Sequence, residues 1–243
     1  MVAQALDHLR LHSASWGIDL SRAQLSIFNE YAGLLSSYRL ANIIGTTNKE
    51  AIILDHLIDS LSCFLVKDLH RKTSIVDVGT GAGLPGIPLA IARPELNVAL
   101  LEVTEKKVRF LNHAKEELGL KNLQVLHARA EKIGELLAYR ETFELAVARA
   151  LAPLPVLLEY CAPLVHTGGA ILAMKARLSE EELAKGIKAS QELRLAVRDV
   201  TDVKYGIPLP QKERQLVAVD KVAATPDRFP RRIGRANKRP LGL

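Results

Sequence analysis

Cysteine is scarce in this chain: two residues in 243, Cys63 and Cys161. They stand too far apart for a Cys-x-x-Cys metal or redox motif. That excludes a disulfide framework and a zinc site, and leaves two reduced, buried thiols as the expectation. Long apolar runs are also missing. No stretch approaches the ~20 residues needed to cross a bilayer as a helix. The first twenty residues carry Asp7, Arg10 and Asp19, where a secretory leader would have an unbroken apolar core. The cytoplasm is therefore the expected compartment. No internal repeat and no low-complexity segment is present, which excludes solenoid and propeller architectures. Acidic residues are absent from one particular stretch, 228–239, which holds Arg228, Arg231, Arg232, Arg235, Lys238 and Arg239. Those six residues equal the whole formal net charge of +6. A localised basic arm favours a polyanion, most simply nucleic acid.

An apolar content of 48% and a charged content of 25% describe an ordinary soluble globular protein. The length suits one large α/β domain with a small extra element. The sequence divides into a helical region over 1–70, a central domain over 71–222 and the basic tail over 223–243. In the first part, Ser21 is a candidate N-cap for a helix running to about Arg39, with Leu25, Phe28, Ala32 and Leu35 on one face. A second helix is expected from about Asn48 to Val66.

The central domain alternates strand and helix. Strands are expected near 74–78, 97–103, 123–127, 143–148 and 169–174, with a late pair near 196–204 and 214–221. This pattern predicts a mainly parallel, doubly wound sheet of Rossmann-like type, with one antiparallel strand at its edge. Thr104 and Ser179 are the expected N-caps of the helices that follow, and Ser179-x-x-Glu182 has the form of a capping box.

The first of these strands leads into Asp77-Val-Gly79-Thr-Gly81-Ala-Gly83-Leu84-Pro-Gly86. Glycines let a backbone turn sharply and approach a ligand closely. The following helix presents unpaired N–H groups. Leu84 occupies the place of the third glycine in a dinucleotide fingerprint, and no Gly-Lys-Ser/Thr follows, so a P-loop is excluded. The pattern is similar to the first motif of S-adenosylmethionine (AdoMet)-dependent methyltransferases, with another nucleotide or a structural turn as alternatives. Twenty-five residues after Asp77, the second strand ends at Glu102. An acid there can accept both ribose hydroxyls of an adenosine. Ala130 and Glu131, Arg149 and Lys175 lie beyond the third, fourth and fifth strands, at the carboxyl edge where ligands of open parallel sheets bind. Arg149 and Lys175 are expected to orient a base or its phosphate, with a salt bridge to Glu131 or Glu102 as the alternative.

With these residues in place, the chain resembles the bacterial small-subunit (16S) rRNA (guanine-N7)-methyltransferases, the RsmG family, formerly GidB. The resemblance spans nearly the full length. Its most specific part is Asp77-Val-Gly-Thr-Gly-Ala-Gly-Leu-Pro-Gly-Ile-Pro-Leu-Ala-Ile-Ala-Arg-Pro94. Further matches are His56-Leu-Ile-Asp-Ser60, Lys106-Lys-Val-Arg-Phe-Leu111, Arg129-Ala-Glu131, Ala148-Arg-Ala150, Met174-Lys175 and Phe229-Pro-Arg-Arg232. The resemblance implies a class I AdoMet-dependent fold, with cofactor contacts at Gly79, Gly81, Leu84, Glu102, Ala130, Glu131 and Arg149. It implies small-subunit rRNA, free or in the assembled subunit, as the partner, with Arg149, Lys175, Arg231 and Arg232 facing the RNA. A monomer without metal is expected. Neither cysteine sits at a polar strand end, as cytosine C5 methylation would require. Ala148-Arg149-Ala150 replaces the Asn/Asp-Pro-Pro-aromatic motif of adenine N6 methylation. Guanine N7 presents its own lone pair, so no general base is needed and none is assigned. The alternative is a small-molecule AdoMet-dependent methyltransferase on the same fold, which leaves the basic tail without a task.

Overall fold

A computed structural model describes residues 2–38, 43–205 and 213–242. In chain order the helices are α1 (Val2–Ser15), α2 (Arg22–Ser37), α3 (Lys49–Ile52), α4 (Ile58–Leu61), α5 (Gly86–Ala92), α6 (Glu105–Glu117), α7 (Ala130–Ile133), α8 (Leu154–Cys161), α9 (Glu180–Glu192) and α10 (Arg235–Lys238). The strands are β1 (Ser74–Val78), β2 (Asn97–Glu102), β3 (Leu123–His127), β4 (Phe143–Arg149), β5 (Val165–Lys175), β6 (Leu195–Asp202) and β7 (Gln215–Lys221). None of the described helices is long and apolar enough to cross a membrane. The described residues form two compact units: those of 2–73, 80–127 and 205 make one, and those of 74–79, 128–204 and 213–242 the other.

In the first unit, β2 and β3 pair in parallel, with Glu102 opposite His127. The N-terminal helices build a core from Leu9, Phe28, Tyr31, Ala32, Ile52, Ile53, Leu57, Ile58 and Leu61, all buried. α2 opens on a reciprocal box. The Ser21 hydroxyl accepts the Gln24 N–H at 3.2 Å, and Gln24 Oε1 accepts the Ser21 N–H at 2.9 Å, which satisfies two donors the helix start would otherwise leave unpaired. α2 ends at Ser37, and Arg39 lies outside the described residues. The helix expected over 48–66 is not continuous. Residues Ile53–Leu57 form a π turn between α3 and α4, and Ser62–Leu65 tighten to 3₁₀. The wider turn carries a physical benefit, since it brings both Ile52–Ile53 and Leu57–Ile58 inward, a pairing that a strict 3.6-residue period does not give.

The second unit holds five strands in the order β1-β4-β5-β7-β6. β1, β4 and β5 run parallel, whereas β7 is antiparallel to both β5 and β6. The antiparallel strand is therefore interior to this set and the edge is β6, which corrects the expectation of an antiparallel edge. The burial patterns give the reason. β7 is a nearly unbroken buried run from Leu216 to Val219, as a strand covered on both faces must be, while β6 alternates and exposes polar residues such as Asp199. β1, β4 and β5 are likewise buried through Ile75–Val78, Leu145–Ala148 and Ala170–Met174.

Candidate functional site

The glycine loop of the first unit is fixed by its own backbone and by one carboxylate. Thr80 N–H donates to Leu101 O at 3.1 Å, and Gly83 and Leu84 N–H both donate to Thr80 O at 3.0 Å. Gly81 N–H donates to Glu102 Oε2 at 3.0 Å. The other oxygen, Oε1, accepts Val103 and Thr104 N–H at 2.9 and 2.8 Å. Glu102 is only 5% exposed. A carboxylate offers about four lone-pair directions, so three are taken and one remains, on Oε2. In this arrangement Oε2 can accept one further hydrogen bond. Accepting two requires the Gly81 bond to be given up. Gly83 has φ +91°, and a Cβ there would come within 2.4 Å of Ile87 Cδ1. Leu84 is buried directly after it. The chemistry of this set, an oriented acceptor beside a glycine-rich loop, fits the sugar of an adenosine.

Sequence reasoning missed one residue here. Tyr31 on α2 is fully buried, and its hydroxyl donates to Ala82 O at 2.6 Å.

In the second unit the parallel register aligns the carboxyl ends of three strands. Asp77 is opposite Val147, and Arg149 is opposite Met174. Gly79, Arg149 and Lys175 thus end neighbouring strands. Gly79 turns at φ +70°, and a Cβ there would lie 2.4 Å from Leu151 Cδ1. Arg149 is half-buried at the last position of β4. Lys175 Nζ donates to Ala152 O and pairs with Glu182 Oε1, each at 2.9 Å. Its carboxylate partner is thus Glu182, neither of the two expected acids. Glu182 Oε1 also accepts Leu154 N–H at 2.8 Å. Ser179 caps α9 by accepting Glu182 N–H at 3.1 Å, so the N3 carboxylate ties α8 to β5.

Ala130 and Glu131 open α7, Ala130 half-buried and Glu131 5% exposed. Glu131 Oε1 accepts the N–H of Gly234 at 3.0 Å, from the C-terminal segment.

That segment is folded, a property its charge alone did not reveal. Phe229, Ala236 and Leu241 are buried. Arg140 donates to Phe229 O at 2.9 Å and Thr225 O at 3.0 Å. Lys221, buried at the foot of the segment, donates to Ala162 O at 2.7 Å and pairs with Glu141 at 3.0 Å. Burial alone would raise the Glu141 carboxyl, but the Thr225 N–H and the Lys221 ammonium outweigh it and hold that carboxyl below its ordinary value. Burial lowers Lys221 in spite of Glu141. Arg231, an expected RNA contact, is tied to a buried acid. Its Nε donates to Glu159 Oε1 at 2.8 Å, and its terminal nitrogen bonds Glu159 Oε2 and, at 2.9 Å, Arg239 O. Glu159 is 2% exposed; a buried acid needs such a partner, and Arg231 supplies it in a forked geometry. Asn237 donates to Tyr160 Oη at 2.9 Å. Arg228, Arg232, Arg235, Lys238 and Arg239 are exposed.

Cys161 is fully buried, and burial, with the Asp77 charge adding to it, drives its thiol strongly upward. It is no nucleophile at neutral pH.

These features meet a consistent set of relatives. The Ribosomal RNA small subunit methyltransferase G of Rubrobacter xylanophilus is 44% identical over 98% of this chain and 91% of its own length. That of Acetivibrio thermocellus is 40% identical over 94% and 93%. Among solved structures, a geranyl diphosphate methyltransferase in complex with SAM aligns with a TM-score of 0.54 at 14% identity, covering 77% of this chain and 94% of that one. The mitomycin 7-O-methyltransferase MmcR also reaches 0.54 at 13% identity, covering 71% and 56%. These likenesses show the Rossmann-like fold of class I AdoMet-dependent methyltransferases. Residues 24–216 match the family described as GidB, rRNA small subunit methyltransferase G, and the chain belongs to that family.

Proposed function

We propose that this protein transfers the methyl group of AdoMet to N7 of one guanine in small-subunit (16S) rRNA. The observation that carries this reading is the family match over nearly the whole chain. Bound AdoMet supplies an electrophilic methyl on sulfur. The protein's residues bind and orient. In the first unit, Gly81 and Leu84 offer backbone and an apolar wall, and Glu102 Oε2 accepts a ribose hydroxyl. In the second, Gly79 gives close backbone approach, Ala130 and Glu131 serve the adenine edge, and Arg149 meets the methionine carboxylate or the RNA. The Gly234 amide occupies Glu131 Oε1, which leaves Oε2 to accept an N–H donor. Guanine N7 carries a free lone pair, so catalysis rests on positioning and on excluding water. Both cysteines are buried and neither lies at a strand end, which supports a reaction without a cysteine adduct.

For RNA, the exposed Arg232, Arg235, Lys238 and Arg239 are the phosphate-contacting set. Arg231 acts through the pose of the segment, and Lys175 through its third ammonium donor. Such contacts position an RNA without reading its sequence. The protein works as a cytoplasmic monomer without metal. The test is methyl transfer from labelled AdoMet to small-subunit RNA and to assembled subunits lacking the modification, with the product nucleoside identified by mass spectrometry. N7-methylguanosine at one site is the expected result. AdoMet binding without transfer to either RNA substrate favours a small-molecule acceptor and overturns the reading.

A further inference from the structure

Helix α2 touches the glycine loop and the helix behind it at two points. Gln24 spends its side-chain oxygen on the cap of its own helix, and its Nε2 donates to Ile91 O and Ala92 O, each at 2.9 Å. Those are carbonyls at the end of α5 that the helix itself leaves unpaired. Seven residues later, Tyr31 Oη donates to Ala82 O at 2.6 Å, ahead of the start of α5. Seven residues are almost two whole turns, so Gln24 and Tyr31 lie on one face, about 10 Å apart along the axis. α5 is itself seven residues long, comparable to the spacing between Gln24 and Tyr31 on the longer α2. α2 therefore grips the loop and α5 at both ends.

The Tyr31 contact bears directly on loop geometry. The Ala82 carbonyl and the Gly83 amide share one rigid peptide plane, so holding the oxygen sets the direction of the N–H. The ring also closes the space beside Gly83, where a Cβ would be 3.0 Å from Tyr31 Oη. Gly81, on the other side of Ala82, points its N–H at Glu102. Two peptide planes of the loop, Thr80–Gly81 and Ala82–Gly83, are thus each tied by one side chain, Glu102 from the strand and Tyr31 from the N-terminal helix.

We propose that Tyr31 is a positioning residue for AdoMet binding, holding the glycine loop in its binding shape before the cofactor arrives. Gln24 is its counterpart at the far end of α5. The proposal rests on the reading of this loop as an AdoMet site. Removing the hydroxyl leaves the Ala82–Gly83 plane held only by the bond from Gly83 N–H to Thr80 O, so the loop is less well set, and the cost falls on cofactor affinity and leaves saturated turnover and RNA affinity in place.

The test is Tyr31→Phe, which keeps the ring and its packing. Calorimetry is expected to show AdoMet binding about tenfold weaker, with KM for AdoMet rising in parallel and kcat at saturating AdoMet within twofold. In the ligand-free protein, hydrogen exchange at Gly83 and Leu84 should quicken while β2 and β3 stay protected. Gln24→Leu should weaken AdoMet about threefold and serves as the second probe should Tyr31→Phe fold poorly. Leu35→Ala, a buried change one turn further along the same helix, should lower Tm without moving AdoMet affinity. The proposal is overturned if folded Tyr31→Phe binds AdoMet as wild type does, or if Leu35→Ala weakens AdoMet as much. A wild-type protein that binds no AdoMet refutes the functional reading instead, a separately visible outcome.

Discussion

The glycine loop and the C-terminal segment hold their functional groups by opposite means. The loop does so with backbone: Gly81, Gly83 and Leu84 donate N–H groups to neighbouring acceptors, and three of its residues are glycine. The segment does so with long side chains reaching distant acids, Arg231 to Glu159 and Lys221 to Glu141. A backbone device tolerates no added atoms but needs little charge. A side-chain device tolerates shape changes but fails when one buried charge loses its partner. The two regions should therefore respond to different mutations.

The largest effect should come from breaking the segment's ion pair. Arg231→Met leaves Glu159 buried without its partner, at a cost of about 3 kcal/mol, which is several degrees of Tm in a chain of this size. Adding Glu159→Gln should restore most of the loss; calorimetric unfolding checks both. Gly83→Ala should cost about 2 kcal/mol, because φ +91° strains an L-residue and the new methyl meets Ile87. Unlike Arg231→Met, it should weaken AdoMet binding by more than tenfold, measured by titration at a temperature where the variant is folded. Glu102→Gln should weaken AdoMet about tenfold, since the new amide N–H₂ opposes either Gly81 N–H or the Val103 and Thr104 pair. If Glu102→Gln changes Tm but not affinity, the backbone device is architecture and not a binding site. The smallest effect on folding belongs to Arg232→Ala with Arg235→Ala. Tm should stay put and AdoMet affinity should hold, while RNA affinity falls and its log–log salt slope flattens by about 1.4, counting ~0.7 per single-strand phosphate contact.

What was legible in the sequence follows the same division. Asp77, Gly79, Gly81, Gly83 and Glu102 announce themselves because each requirement is local: a strand end, a turn that excludes Cβ, an acid at the next strand end. Ser21 and Ser179 announce their helices because a cap lies within one turn of what it caps. Tyr31 gave no signal, since an aromatic on a helical stripe looks like core and its partner Ala82 is 51 residues away. The partner of Arg231 was hidden for a related reason. The arginine's neighbours advertise a solvated basic run, and the acid that claims it, Glu159, is 72 residues distant. The place of β7 between β5 and β6 was equally hidden, because hydropathy marks a strand as buried without naming its neighbours.

The folded C-terminal segment also has a thermodynamic consequence. A flexible basic arm must be ordered when it meets RNA, and that loss of conformational freedom is charged against affinity and appears as a large heat-capacity change. Here Phe229, Ala236 and Leu241 are already buried and Arg231 is already clamped. The ordering has been completed during folding. If the segment is the RNA-facing surface proposed above, its exposed arginines are presented from an already folded backbone, and RNA association should show a small heat-capacity change, with its free energy dominated by the release of counterions.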